Sequence, residues 1–127
     1  MPRKRAKGIA LVIEDAADVR RFASLVLVLE GLTVLEANTG ERGLELARQN
    51  KCVLVLLDLR LPGRDGWWVL EEMKGNANLC DIPVIVFTAS AGVDLQDKAL
   101  SMGAADYLVK PLSAASLRES VARVLKR

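Results

Sequence analysis

Three apolar runs set the limits on what this chain can fold into: Ile9–Ile13, Val53–Leu57 and Val84–Phe87. None of them alternates polar with apolar residues. A strand with one wet face would alternate. Continuous runs of this length, rich in Val, Ile and Leu, read instead as strands covered on both faces, as in a parallel sheet. Each run stops at polar or turn residues. Glu14-Asp15 follows the first, Asp58 the second and Thr88-Ala89-Ser90 the third, which Pro83 precedes. Two weaker strands complete the set, Thr33–Ala37 and Asp106–Val109, the latter ending at Lys110.

Helical patterns separate the strands. Val19, Phe22, Ala23, Val26 and Leu29 recur at spacings of three and four and are expected to share one face, with Gly31 as the stop. Thr39 is placed to cap a helix carrying Leu44, Leu46 and Ala47. A third helix is expected from about Asp65 through Val69, Leu70 and Met73 to Gly75. A fourth carries Leu95, Ala99 and Met102 and stops at Gly103. The last follows Pro111, with Ser113 as cap and Leu117, Val121, Val124 and Leu125 as its apolar stripe. Five β-α repeats imply right-handed crossovers and a three-layer α/β/α sandwich around a five-stranded parallel sheet.

The chain has 127 residues, enough for one domain with a core and too few for two ordinary ones. Aromatics are 4% of it, so the core is aliphatic. Four basic residues, Arg3, Lys4, Arg5 and Lys7, sit in the first seven positions. Without them the formal charge of +2 becomes −2. The body is therefore no nucleic-acid surface by composition, and residues 1–7 read as a disordered basic tail ahead of a domain spanning 8–127. Cys52 and Cys80 form no CxxC motif and there is no histidine, which argues against a zinc site. No apolar run reaches transmembrane length and nothing resembles a signal peptide, so a cytoplasmic location is the default expectation. Without histidine, chemistry must run on carboxylates, Lys110, hydroxyls or a metal.

In an open parallel sheet the functional crevice lies beyond the carboxyl ends of the strands. Here those ends carry Glu14-Asp15, Asp58, Thr88 and Lys110-Pro111. Strand order is not visible in sequence. In a flavodoxin-like order 2-1-3-4-5 the first and third strands are neighbours, and Glu14, Asp15 and Asp58 converge. Two unit charges about 4 Å apart repel by roughly 4 kcal/mol at an effective dielectric near 20. Such a cluster retains a proton or binds a cation, and Mg²⁺ suits an all-oxygen donor set. Carboxylates, metal, lysine and hydroxyl together form a cradle for a phosphoryl group, and a carboxylate can itself act as the nucleophile.

Four elements in order carry a resemblance over almost the whole chain: Ile13-Glu14-Asp15, the run Leu57-Asp58-Leu59-Arg60-Leu61-Pro62-Gly63-Arg64-Asp65-Gly66, then Thr88-Ala89, then Asp106-Tyr107-Leu108-Val109-Lys110-Pro111. The chain resembles the receiver domain of two-component response regulators, of the chemotaxis-regulator kind, stand-alone or part of a longer protein. The resemblance implies that Asp58 is the phosphoacceptor and that Asp15 ligates Mg²⁺ (or Mn²⁺) directly. It implies that Glu14 holds a metal-bound water and that the Arg60 backbone carbonyl is a further ligand. Thr88 matches the hydroxyl that moves to the phosphoryl oxygen, Lys110 its counter-charge, and Tyr107 the aromatic switch that turns inward with Thr88. The Lys110-Pro111 bond is expected to be cis, which proline permits because its trans preference is only about 0.5–1 kcal/mol. Leu61 stands where many members have Met, and Glu14 where Asp is commoner. Arg60 is expected to tune phosphoryl lifetime. The tandem Trp67-Trp68 is unusual, and about 100° of helical rotation separates the two, so one is expected to pack and the other to face solvent.

Taken singly, each residue has an ordinary use. Asp58 suits a turn, Glu14, Asp15 or Asp18 can cap the first helix, and Lys110 alone is a solvated lysine. Together they point to a phosphoacceptor in a histidine-to-aspartate phosphorelay. The donor would be a sensor histidine kinase or a phosphotransfer protein. The reader would be a downstream protein that senses the face made by the fourth helix, fifth strand and fifth helix. No direct contact with nucleic acid or membrane is expected, and the chain is expected to be a monomer or a weak phosphorylation-linked dimer. It would be a signalling phosphoacceptor that assists its own phosphorylation and dephosphorylation, rather than an enzyme. A phosphatase of the haloacid-dehalogenase type would want a second Asp where Arg60 stands. A nucleotide-binding domain would want a glycine loop that no strand here is followed by. The remaining alternative is a receiver-like scaffold that binds partners without phosphorylation.

Overall fold

A computed structural model describes residues 8–89 and 92–125. The expected basic tail at 1–7 lies outside the described residues. Five strands and five helices alternate: β1 (Ile9–Ile13), α1 (Ala17–Leu29), β2 (Thr33–Ala37), α2 (Gly40–Gln49), β3 (Cys52–Asp58), α3 (Gly66–Lys74), β4 (Val84–Thr88), α4 (Val93–Ser101), β5 (Asp106–Val109) and α5 (Ala114–Leu125). The sheet is parallel throughout, in the order β2-β1-β3-β4-β5.

The continuous apolar runs follow from burial on two faces. Leu11, Ile13, Val55, Leu57, Val84 and Val86 pack on one side with α2, α3 and α4. The residues between them, Ala10, Val12, Leu54, Leu56, Ile85 and Phe87, pack on the other with α1 and α5. Side chains alternate across a strand, so both sets must be apolar when both faces are covered. Fully burying one such side chain is worth about 1.5–3 kcal/mol.

Local signals act as expected at most helix ends. Thr39 accepts from the Arg42 amide at 3.1 Å, Asp65 from Trp68 at 3.0 Å and Ser113 from Ser116 at 3.0 Å. Gly31 and Gly103 take positive φ after α1 and α4. The exceptions are α1 and α4, whose N-caps Ala16 and Gly92 have no side-chain cap. The face of α1 also differs from expectation. Ala23, Ser24, Val26 and Leu27 are buried, whereas Phe22 and Leu29 are exposed along with Leu25 and Val28. The stretch Leu25–Leu29 is apolar at every position, so its periodicity fits several stripes, and packing against β1 and α5 chooses among them. Cys52 and Cys80 are free thiols. No helix among the described residues is long and apolar enough to cross a membrane.

Candidate phosphoryl site at the carboxyl edge of the sheet

The central position of β3, between β1 and β4, brings the strand-end acids together. Carboxylate oxygens of Glu14, Asp15 and Asp58 lie within 4.8 Å of one another, a group that could hold a metal ion. Glu14 and Asp58 are buried, and Asp15 is exposed. Several backbone bonds fix the edge. The Glu14 amide donates to Ala37 O at 3.0 Å, Gly66 N to Leu59 O at 3.0 Å and Lys110 N to Thr88 O at 2.8 Å. The Arg60 amide donates to Asp58 Oδ1 at 3.1 Å, which orients the carboxylate.

Lys110 leaves β5 and reaches across the edge. Its Nζ donates to Glu14 Oε1 at 2.5 Å and to Asp58 Oδ2 at 3.2 Å, and lies 5.1 Å from the centre of the Phe87 ring. Burial draws the ammonium towards a lower pKa. The hydrogen bond to Glu14 and the charges of Asp58 and Glu14 outweigh that, and the net shift is upward. Lys110 thus pairs with two of the three carboxylates, which leaves negative charge at Asp15 for a hard cation to neutralise. The peptide bond from Lys110 to Pro111 is cis, as expected.

Thr88, buried at the end of β4, lines a cleft of about 570 Å³ together with Asp15, Arg60, Leu61, Asp65, Trp67 and Leu95. Arg60 is exposed at this cleft. Tyr107 is set apart from the acids. It pairs with Val86 in the sheet and is 8% exposed within the core on the α2-α3-α4 side, where burial pushes its phenol pKa up.

Several participants were not singled out from sequence. Arg20 of α1 donates to the Glu14 carbonyl at 2.9 Å and to the Asp15 carbonyl at 3.4 Å, and its Nε bonds Glu36 at 2.9 Å. It therefore pins the backbone that carries the two acids. Glu14 Oε2 also accepts from Ala16 N at 3.2 Å, so this acid bonds the residue at the helix cap while facing Lys110. Trp67 and Trp68 are both half-buried and both pack on the core, contrary to the expectation that one would face solvent. Each is covered by a cation instead: Lys98 Nζ sits 4.3 Å from the Trp67 ring centre, and the Arg64 guanidinium 4.8 Å from that of Trp68.

A family model described as the response regulator receiver domain matches residues 10–122. The chain is 37% identical over 117 residues to the "Probable transcriptional regulator ycf27" of Porphyridium aerugineum, covering 92% of this chain and 48% of that protein. It thus spans about half the length of that curated relative. It superimposes on the receiver domain of the Francisella response regulator 1452 with a TM-score of 0.87 at 26% identity, covering 95% of this chain and 98% of that one. On the BeF3-activated N-terminal receiver domain of Klebsiella pneumoniae RstA the TM-score is 0.85 at 27% identity, with 94% and 99% covered.

Proposed function

Because the chain belongs to the response regulator receiver family, we propose that Asp58 accepts a phosphoryl group in a histidine-to-aspartate phosphorelay and that its phosphorylation shifts partner binding at the α4-β5-α5 face. The observation that carries this reading is the bridge from Lys110 to both Glu14 and Asp58 beside Asp15. It supplies a nucleophile, a counter-charge and a place for a divalent cation at one sheet edge.

The residues divide the work by their chemistry. Asp58 donates an oxygen lone pair to the donor's phosphorus, the bond from phosphorus to the donor breaks, and an acyl phosphate forms. Lys110 turns from the carboxylates to a phosphoryl oxygen, and the Thr88 hydroxyl donates to another. Asp15, Asp58 and the Arg60 carbonyl would hold Mg²⁺ or Mn²⁺, with Glu14 on a bound water. The cation would neutralise charge that builds on the phosphoryl oxygens. Tyr107 already occupies an inward position, and we assign that position to the arrangement in which Thr88 has moved to the phosphate. The partners are a histidine kinase or phosphotransfer protein as donor and a protein as reader, within a domain spanning 8–127. The relatives' name as transcriptional regulators fits a reader elsewhere in a longer assembly. A phosphorylation-independent scaffold has no observation in its favour, since every side chain that the chemistry needs is present.

Incubation with acetyl phosphate tests this reading. The chain is expected to take up one phosphoryl group with Mg²⁺ and none with excess chelator. Lys110→Ala should weaken the resulting conformational change more than Mg²⁺ binding. Equal loss of both would remove its assigned role, and uptake that ignores the chelator would remove the metal's.

A further inference from the structure

The helix that follows the Thr88 loop is lightly anchored. Of the nine residues of α4 only Ala99 is buried, and Val93 and Leu100 are exposed. Leu95 and Lys98 are three apart and so share a face. Leu95 lines the cleft beside Thr88, and Lys98 lies over the Trp67 ring, which lines the same cleft. Lys98 makes no ion pair among the described residues. An ammonium over an indole is attracted to the ring face, and Trp is the best such partner. Trp67 itself packs against the core. The contact therefore ties a loosely seated helix to a firmly seated one, across the cleft that Asp15 and Thr88 line.

We propose that Trp67 is a positioning residue of the phosphoryl site: clamped by Lys98, its indole walls the cleft and holds α4 closed over the phosphorylated aspartate. The proposal rests on the reading of Asp58 as the phosphoacceptor. Loss of the phosphate is a hydrolysis. Water adds to phosphorus, the bond from phosphorus to the Asp58 oxygen breaks, and the carboxylate and inorganic phosphate result. Opening the α3-α4 side admits water, so releasing the clamp shortens the phosphoryl lifetime. Loss of a partly shielded cation–π contact shifts a two-state equilibrium by about fivefold.

The test uses Trp68→Phe, which leaves Trp67 as the one tryptophan, alone and combined with Lys98→Met or Lys98→Arg. Met keeps the apolar stem and removes the charge, and Arg restores it. In the Trp68→Phe protein, Mg²⁺ with beryllofluoride is expected to shift Trp67 emission. Lys98→Met is expected to diminish that shift and to speed phosphate loss by about fivefold, with Mg²⁺ affinity little changed and the thermal midpoint lowered by no more than about 3–5 °C, and Lys98→Arg to restore the emission shift and the rate. A wild-type rate of phosphate loss in Lys98→Met, or emission indifferent to beryllofluoride in a protein that is phosphorylated, would overturn the proposal. A folded wild-type chain that takes up no phosphoryl group would overturn the site reading beneath it instead.

Discussion

Replacing Asp58 by Asn tests the electrostatics of the site while leaving its shape nearly unchanged. Asn Oδ1 can still accept from the Arg60 amide that now bonds Asp58. What disappears is one negative charge, 2% exposed, with two carboxylates within 4.8 Å and the Lys110 ammonium at 3.2 Å. At an effective dielectric near 20, each repulsion is worth about 3.5 kcal/mol and the attraction about 5 kcal/mol. Neutralisation is then favoured by about 2 kcal/mol. Solvent around exposed Asp15 trims that figure, and relief of the desolvation of a buried carboxylate adds to it. Lys110 keeps Glu14 as a partner. In chelator, Asp58→Asn is therefore expected to unfold in urea with about 2 kcal/mol more stability than wild type. With the cation at ten times its Kd, the wild type should gain about 1.4 kcal/mol, because only the folded state binds. The variant should gain much less. A variant less stable than wild type in chelator, or one that gains as much from Mg²⁺, would refute the idea that uncompensated acids define this site.

Ser24 Oγ is buried without a hydrogen-bond partner among the described residues, so Ser24→Ala is expected to raise stability by about 1 kcal/mol in urea unfolding. A side chain at Gly66 would place its Cβ 2.3 Å from the Asp58 carbonyl oxygen and 2.6 Å from Leu59 Cα. Gly66→Ala should therefore cost about 2–3 kcal/mol and slow phosphoryl uptake, since backbone must move at the acceptor. Asp106 accepts from Ser120 Oγ at 2.5 Å, from the Tyr107 amide at 2.8 Å and from Arg123. Burial raises its pKa, but these bonds outweigh burial and hold it below the ordinary 3.8. Its stabilising share is thus present above about pH 4 and lost as pH falls through the folded value. Ser120→Ala is expected to cost about 1.5 kcal/mol at pH 7 and progressively less in acid. A penalty independent of pH would mean that Ser120 acts through packing alone.

The strands were legible because burial on two faces leaves so narrow a choice of residues. β1, β2 and β5 have the expected limits, and β3 and β4 extend only slightly beyond them. The convergence of Glu14, Asp15 and Asp58 was legible only once a strand order was supposed, since nothing local in β1 names β3 as its neighbour. α1 departs from its expected face at Phe22 and Leu29, where nearly unbroken apolar sequence carries no usable period. The tryptophans depart from expectation for a different reason. Helical rotation does separate Trp67 from Trp68, but Lys98 and Arg64 come from outside the pair and shelter both rings. Arg20 had no sequence signal, because its contacts with the acidic pair are to backbone carbonyls and its side-chain partner, Glu36, lies on another strand. Ser120 had one: a hydroxyl in the apolar stripe of Leu117 and Val121 asks for a buried partner, and Asp106 is that partner.

The central claim is that Asp58 carries the phosphoryl group. Acetyl phosphate and Mg²⁺, followed by borohydride reduction and peptide mass spectrometry, put it to the most direct test, since hydride converts an aspartyl phosphate to homoserine. The account predicts homoserine at position 58 and at no other acid, with Asp58→Asn unmodified. An unmodified wild-type chain, or homoserine at Asp15 in its place, would contradict it.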